Sequence, residues 1–329
     1  MKVAIVGTTA WGTALGIMLA RKGIDVVLWA RSVEEAKRLN HDRENSARVP
    51  GIPFPDGLTA TASMADALNG ASLVVFAVPA QQMRNNVRLA KEHLGEGVPV
   101  LSVAKGLEKD TTRRMSEVIA EELGPAFHDR ICAISGPNFS KEIAQGLPAA
   151  TVLAAPDGVV TGTVHDIMSS PAFRVEISGD MAGVELAGAL KNVVALGAGM
   201  LDALGYGDNA KAAFVSRGYI EITRLAVAAG ADPSTLAGLA GVGDLVATCS
   251  SSLSRNRTFG RELARGRAPH EIQATMTSVV EGIATTAAAL RLARDLGVAT
   301  PIIEHLHRVL FEGIDLTDAM ERLARGHGV

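Results

Sequence analysis

The sequence predicts an α/β domain built on a doubly wound parallel sheet, followed by an all-helical domain. Three observations carry this. Short, near-continuous apolar runs alternate with helical patterns over the first half of the chain, as in a parallel sheet covered on both faces. A strand–turn–helix pattern with glycines opens the chain. Beyond Gly183 no convincing strand pattern remains.

The strand candidates in order are KVAIVG, DVVLWA, SLVVFAV, VPVLSVA and RICAIS, and two further runs, ATVLAA and FRVEIS, extend the pattern to about Ser178. Helical patterns lie between them at Gly12–Lys22, Val33–Asn40, Ala80–His93 and Thr111–Leu123. The segment GVELAGALKNVVALGAGMLDALG is helical and apolar nearly all round, which reads as a buried core helix. NAKAAFVSRGYIEITRLAVAAG, EGIATTAAALRLARDLG and PIIEHLHRVLFEG follow as further helices. The expected domains are 1–180, a dinucleotide-binding α/β domain, and 181–329, a helical substrate-binding domain. The 329 residues suffice for both.

Composition excludes several classes. A net charge of -3 argues against a nucleic-acid or anionic-membrane surface. The two cysteines, Cys132 and Cys249, lie far apart and show no metal-ligand spacing, so no metal is expected. The N-terminus reads as a first strand and not a signal peptide, and no uninterrupted apolar run spans a bilayer, which together predict a cytoplasmic protein.

The opening turn, VAIVGTTAWGTAL, keeps Gly7 and Gly12 where the first and third glycines of G-x-G-x-x-G stand, but has Thr9 at the second. In such a turn the first glycine permits the bend, the second admits the pyrophosphate and the third lets the helix pack on the strand. Two readings of Thr9 stand. Its hydroxyl donates to a phosphate oxygen with the backbone at negative φ, or the pyrophosphate is displaced and binds more weakly. Arg31 ends the second strand, where an acid would bind the ribose of NAD. It reads as a partner for a 2′-phosphate, hence NADP, or as a surface arginine at a helix start.

Lys191 lies midway along the apolar helix. Buried, its pKa would fall toward neutrality, which suits a general acid; alternatively it snorkels to solvent. SSSLSRNR is a local basic cluster in which Ser254, Arg255, Asn256 and Arg257 offer donors for a phosphate dianion, or form a solvated loop. Asp244 in GVGDL reads as a carboxylate orienting Lys191 or as a helix N-cap. Lys105 in SVAKGLE and the SGPNF stretch both follow predicted strands, at the ends where open α/β sheets bind ligands.

Together, WGTAL, SVAKGLE, SGPNFSKEIAQGLPAA, LAGALKNVVALGAGM, GLAGVGDLVATCSSSLSRNRTFG and SVVEGI resemble the bacterial NAD(P)-dependent glycerol-3-phosphate dehydrogenases over essentially the whole chain. The resemblance implies a Rossmann-type domain followed by a helical domain of the 6-phosphogluconate-dehydrogenase-like kind. It implies reversible reduction of dihydroxyacetone phosphate to sn-glycerol 3-phosphate, the backbone of glycerophospholipids. NADPH is expected as the preferred cofactor, with NAD as the alternative, in a homodimer. Lys191 is then the proton donor. Lys105, Gly136, Asn138, Asp244, Ser254, Arg255 and Asn256 contact substrate. Gly7, Thr9, Ala10, Trp11, Gly12, Arg31, Lys105, Ser140, Arg255, Val279 and Glu281 contact cofactor, though Trp11 also reads as core packing. Where family members commonly have Gly-Ala-Gly-Ser, this chain has Gly7-Thr8-Thr9-Ala10. Two rival functions stand beside this one: another dehydrogenase of the same two-domain layout, and a non-catalytic dinucleotide-sensing protein.

Overall fold

The computed structural model describes residues 1–156, 158–276 and 278–325. They form two compact units: Met1–Ala104 with Met115–Met181, and Lys105–Arg114 with the chain from Ala182 onward. The ten residues from Lys105 to Arg114, placed by the sequence pattern in the first domain, therefore cluster with the second.

The first unit is an eight-stranded sheet, β1 (Lys2–Val6), β2 (Asp25–Trp29), β3 (Leu58–Thr61), β4 (Leu73–Phe76), β5 (Val100–Ser102), β6 (Ile131–Ser135), β7 (Ala149–Ala154) and β8 (Phe173–Ser178), ordered β3-β2-β1-β4-β5-β6-β7-β8. Apolar residues on β1, β4, β5 and β6 are buried, as both-face coverage requires. The helices are α1 (Ala10–Arg21), α2 (Val33–Asp42), α3 (Met64–Leu68), α4 (Met83–Lys91), α5 (Met115–Leu123), α6 (Ser140–Gln145) and α7 (Val159–Met168). From β1 the chain winds outward through β2 and β3, then returns to place β4 on the other side of β1. That reversal makes the carboxyl ends of β1 and β4 the switch point where ligands bind in such sheets.

Three features depart from the sequence pattern. The β3 strand and helices α3, α6 and α7 fall outside it, because elements of four to ten residues offer little periodicity. The β7 strand pairs antiparallel with β6. The reason lies in α6, whose six residues rise only about 9 Å, so the chain re-enters the sheet from the end it left. Helix α5 starts at Met115, not Thr111: Thr112 has φ +61°, outside the right-handed helix, and Leu107 bridges Arg114 in an extended loop.

Among the described residues the second unit has no strand element. Its helices are α8 (Met181–Leu204), α9 (Gly207–Ala228), α10 (Pro233–Ala237), α11 (Asp244–Ser250), α12 (Arg255–Ala264), α13 (Pro269–Thr275), α14 (Glu281–Leu296), α15 (Pro301–Phe311) and α16 (Leu316–Arg325), with a π-helical turn at Leu239–Gly243 just before α11. Helix α8 is long and apolar enough for a membrane span, but its span-length stretch is wholly buried within the protein, so the core accounts for its composition. Its glycines allow close backbone packing: a Cβ on Gly199 would lie 2.0 Å from the Arg257 carbonyl, and one on Gly260 of α12 would lie 2.0 Å from that of Leu196. Helix α15 is tied to α9 by the fully buried Glu221, whose carboxylate accepts from the amides of Ile302 at 2.9 Å and Ile303 at 2.8 Å.

Candidate active site

At the end of β1 the chain turns through Gly7, which has φ +114°, a conformation that L side chains rarely adopt. Gly12 packs so closely that a Cβ would sit 2.4 Å from the Gly7 carbonyl oxygen. Thr9 is the N-cap of α1, with φ -64° and ψ 166°. Its hydroxyl accepts from the Gly12 amide at 3.1 Å and donates to the Ala77 carbonyl, at the end of β4, at 2.7 Å. The backbone thus keeps negative φ, but the single hydroxyl proton is directed at Ala77. A threonine hydroxyl has one proton to give, so a phosphate would have to displace the Ala77 carbonyl to receive it.

The N-cap leaves the amides of Ala10 and Trp11 without intrahelical partners at the positive end of α1. The Trp11 ring packs against Phe173, with centroids 6.4 Å apart, so it does serve the core. Its indole N–H is buried and finds no acceptor among the described residues. The bend, the open helix terminus and this orphaned donor fit a diphosphate-bearing cofactor. Arg31 is exposed between β2 and α2.

Other first-unit candidates follow β6. At Gly136 the chain runs close to β7, where a Cβ would lie 3.0 Å from Thr151 Cα. The Asn138 amide donates to the Ala150 carbonyl at 3.2 Å and accepts from the Thr151 hydroxyl at 3.0 Å. Its side chain thus ties the β6–α6 loop to β7. Ser140 is the first residue of α6.

The second unit brings Lys191, Asp244 and Lys105 together. Asp244 accepts from Lys191 Nζ at 2.6 Å through Oδ1 and from Lys105 Nζ at 2.8 Å through Oδ2. Lys191 also donates to the Thr248 hydroxyl at 2.6 Å. Lys191 is 5% exposed and Asp244 2%, so this lysine does not snorkel. Nor does Asp244 cap a helix: it is the first helical residue of α11, and its carboxylate faces the two lysines. Burial lowers the Lys191 pKa to about 8, the Asp244 charge opposing that fall and the Lys105 charge adding to it. Burial alone would raise the Asp244 pKa, but the two ammonium groups and their hydrogen bonds hold it below the usual carboxylate value.

Asn192 and Asn256 form a buried amide relay beside this cluster. Asn192 donates to the Lys105 carbonyl at 3.1 Å and to that of Gly188 at 3.2 Å. Asn256 donates to Asn192 Oδ1 at 2.8 Å and accepts from the Gly282 amide at 2.9 Å. Ser254 caps α12 by accepting from the Arg257 amide at 3.2 Å. Arg255 donates to the carbonyl of Val279 at 2.9 Å, and Val279 is half exposed. Glu281 opens α14. Arg257 instead pairs with Asp202 at 2.5 Å, and Lys211 shares that carboxylate at 2.8 Å.

Thr248 and Asn192 join the cluster without a signal of their own in the sequence pattern. Thr248 lies one turn after Asp244 on α11, a spacing that puts both on one helix face. Asn192 adjoins Lys191, but its role depends on the Lys105 loop and α12, which no local pattern reveals.

Comparison with known proteins identifies the family of the chain. Residues 2–160 match the family model for the NAD-dependent glycerol-3-phosphate dehydrogenase N-terminus, and residues 180–321 that for its C-terminus. The chain is 46% identical over 323 residues to a glycerol-3-phosphate dehydrogenase [NAD(P)+] of Dehalococcoides mccartyi, covering 98% of this chain and 90% of that one. It is 45% identical to the protein of the same description from Anaeromyxobacter dehalogenans, covering 98% and 97%. The crystal structure of glycerol-3-phosphate dehydrogenase from Coxiella burnetii superposes with a TM-score of 0.93 at 34% identity, covering 98% of each chain. A ketopantoate reductase from Ralstonia eutropha, 19% identical with a TM-score of 0.62 and covering 98% of this chain and 99% of that one, shares the fold. The chain belongs to the NAD-dependent glycerol-3-phosphate dehydrogenase family and is an NAD(P)-dependent oxidoreductase.

Proposed function

We propose that this enzyme reversibly reduces dihydroxyacetone phosphate to sn-glycerol 3-phosphate, with Lys191 as general acid in reduction and general base in oxidation. The observation that carries the residue assignment is the buried Lys191–Asp244–Lys105 cluster. Bound NAD(P)H supplies the hydride for the ketone carbon.

The protein must place a proton on the carbonyl oxygen. Of the three Lys191 N–H bonds, one goes to Asp244 and one to Thr248, which leaves the third for a substrate oxygen. A pKa of about 8 lets Lys191 give that proton near neutrality and take it back in the reverse direction. Asp244 keeps the ammonium oriented, and its other oxygen holds Lys105. The Asn192–Asn256 relay fixes the backbone that carries Lys105.

Arg255, Ser254 and Asn256 are assigned to the substrate phosphate, a dianion suited to a guanidinium fork and short polar donors. Lys105, Gly136 and Asn138 are assigned to the rest of the substrate. For the cofactor, Ala10 and Trp11 amides would hold the diphosphate behind the Gly7–Gly12 bend, while Thr9 shapes that bend. Arg31 is assigned to a 2′-phosphate, which favours NADPH. Ser140, Lys105, Arg255, Val279 and Glu281 complete the cofactor assignment, on the family resemblance. A homodimer and a role in glycerophospholipid synthesis belong to the same reading.

The test mixes purified protein with dihydroxyacetone phosphate and follows loss of reduced-nicotinamide absorbance with NADPH and NADH separately. Turnover that prefers NADPH is expected. Preference for NADH would remove the Arg31 assignment, and no turnover by folded protein would remove the reaction.

A further inference from the structure

Thr8 is the second departure in the opening turn, and its side chain meets a carboxylate. Its hydroxyl donates to Glu35 Oε1 at 2.6 Å. Glu35 stands in the first turn of α2, and its amide donates to the Ser32 cap at 3.1 Å. The buried Asn45 amide donates to the Thr8 carbonyl at 3.1 Å and to the Thr13 hydroxyl at 2.9 Å. Thr8 is therefore held through both carbonyl and hydroxyl, and Glu35 through both backbone and side chain. Among the described residues the second Glu35 carboxylate oxygen has no hydrogen-bond partner.

This carboxylate lies against the turn at the carboxyl end of β1, beside β2, whose Trp29 is in register with Val6. In open α/β sheets the adenosine ribose of a dinucleotide binds over the end of the second strand. The exposed Arg31 lies in the same β2–α2 connection. The ribose region thus carries one fixed anion and one exposed cation, four residues apart.

We propose that Glu35, held by Thr8, is a specificity-determining residue: its carboxylate accepts from an unphosphorylated ribose diol and opposes a 2′-phosphate. It would limit the preference for NADPH that Arg31 creates. This rests on a dinucleotide in that turn and, for the opposing effect of Arg31, on the assignment above.

The test measures calorimetric binding of NADH and of NADPH to the full chain, alongside kcat/KM with each. Glu35→Gln keeps an oxygen for the Thr8 hydroxyl and removes only the charge. The expected result is tighter NADPH binding by about tenfold, with NADH unchanged or weaker, as for one removed charge repulsion. Thr8→Val, which unpins the carboxylate, should move the ratio the same way by less. An unchanged NADPH-to-NADH ratio in Glu35→Gln, or an equal change for both cofactors, overturns the proposal. Arg31→Ala is measured in parallel: loss of NADPH affinity alone supports the Arg31 assignment, and no loss removes that assignment while leaving the Glu35 result to stand or fall by itself.

Discussion

Asp244 meets Lys191 at 2.6 Å inside the helical unit, and both are almost wholly buried. An isolated ammonium at that depth would lose its proton readily, whereas one paired with a carboxylate and a hydroxyl keeps it near neutrality. The pair therefore reconciles an apolar helix with a lysine at its middle.

Replacing Lys191 by Met should preserve the fold, since methionine matches the buried stem, while kcat for reduction falls by about 10²–10⁴-fold. Steady-state kinetics with a circular-dichroism control checks this. Wild-type-like turnover would remove Lys191 as the proton donor.

Under the proposed assignment, the acid form of Lys191 serves reduction. With its pKa at about 8, kcat for reduction should be flat below that pH and fall as pH rises through it; oxidation should show the mirror-image rise. Because the Asp244 charge raises this pKa, Asp244→Asn should move both profiles to lower pH. A pH profile of kcat in each direction reads the shift.

Thr9→Ala removes the N-cap of α1 and the tie to Ala77. Stability should drop by about 1 kcal/mol, the ordinary worth of such a cap. Urea denaturation measures it. Thr9→Ser retains the hydroxyl and should recover most of the loss.

Glu221 is a buried carboxylate whose pKa burial raises from 4.5 to about 7, against the two amides that it caps. Between these values the native state holds a proton that the unfolded chain has released. Stability from this group is thus fully present below about 4.5 and is lost as pH rises through about 7. Glu221→Gln cannot ionise and should flatten that slope in denaturation measured from pH 5 to 8.

Gly260→Ala places a methyl on the Leu196 carbonyl, where backbone cannot yield as a side-chain tip can. A loss of about 1–3 kcal/mol is expected, or more where α8 and α12 cannot separate. Thermal melting reads it, and an unchanged Tm would show that the helices can part at little cost.

Much of the fold was legible in the sequence. Continuous apolar strands alternating with helices specify a parallel sheet, because only strands buried on both faces carry such runs, and Gly7 and Gly12 mark the bend where the backbone must approach closely. An apolar helix with Lys191 at its middle marked that lysine as a position to resolve, buried or snorkelling. The sequence alone left open whether Lys191 is buried or solvated, whether Asp244 caps a helix, and where the Thr9 proton goes. Tertiary structure decided these, because each depends on a partner distant in the chain: Asp244 stands 53 positions from Lys191 and 139 from Lys105, and Ala77 stands 68 from Thr9. Local periodicity reports which face of an element is apolar, not which element will cover it. The antiparallel β7 and the transfer of Lys105–Arg114 to the helical unit have the same origin, for strand pairing and unit membership are set by packing across the fold and leave no mark on the segment itself.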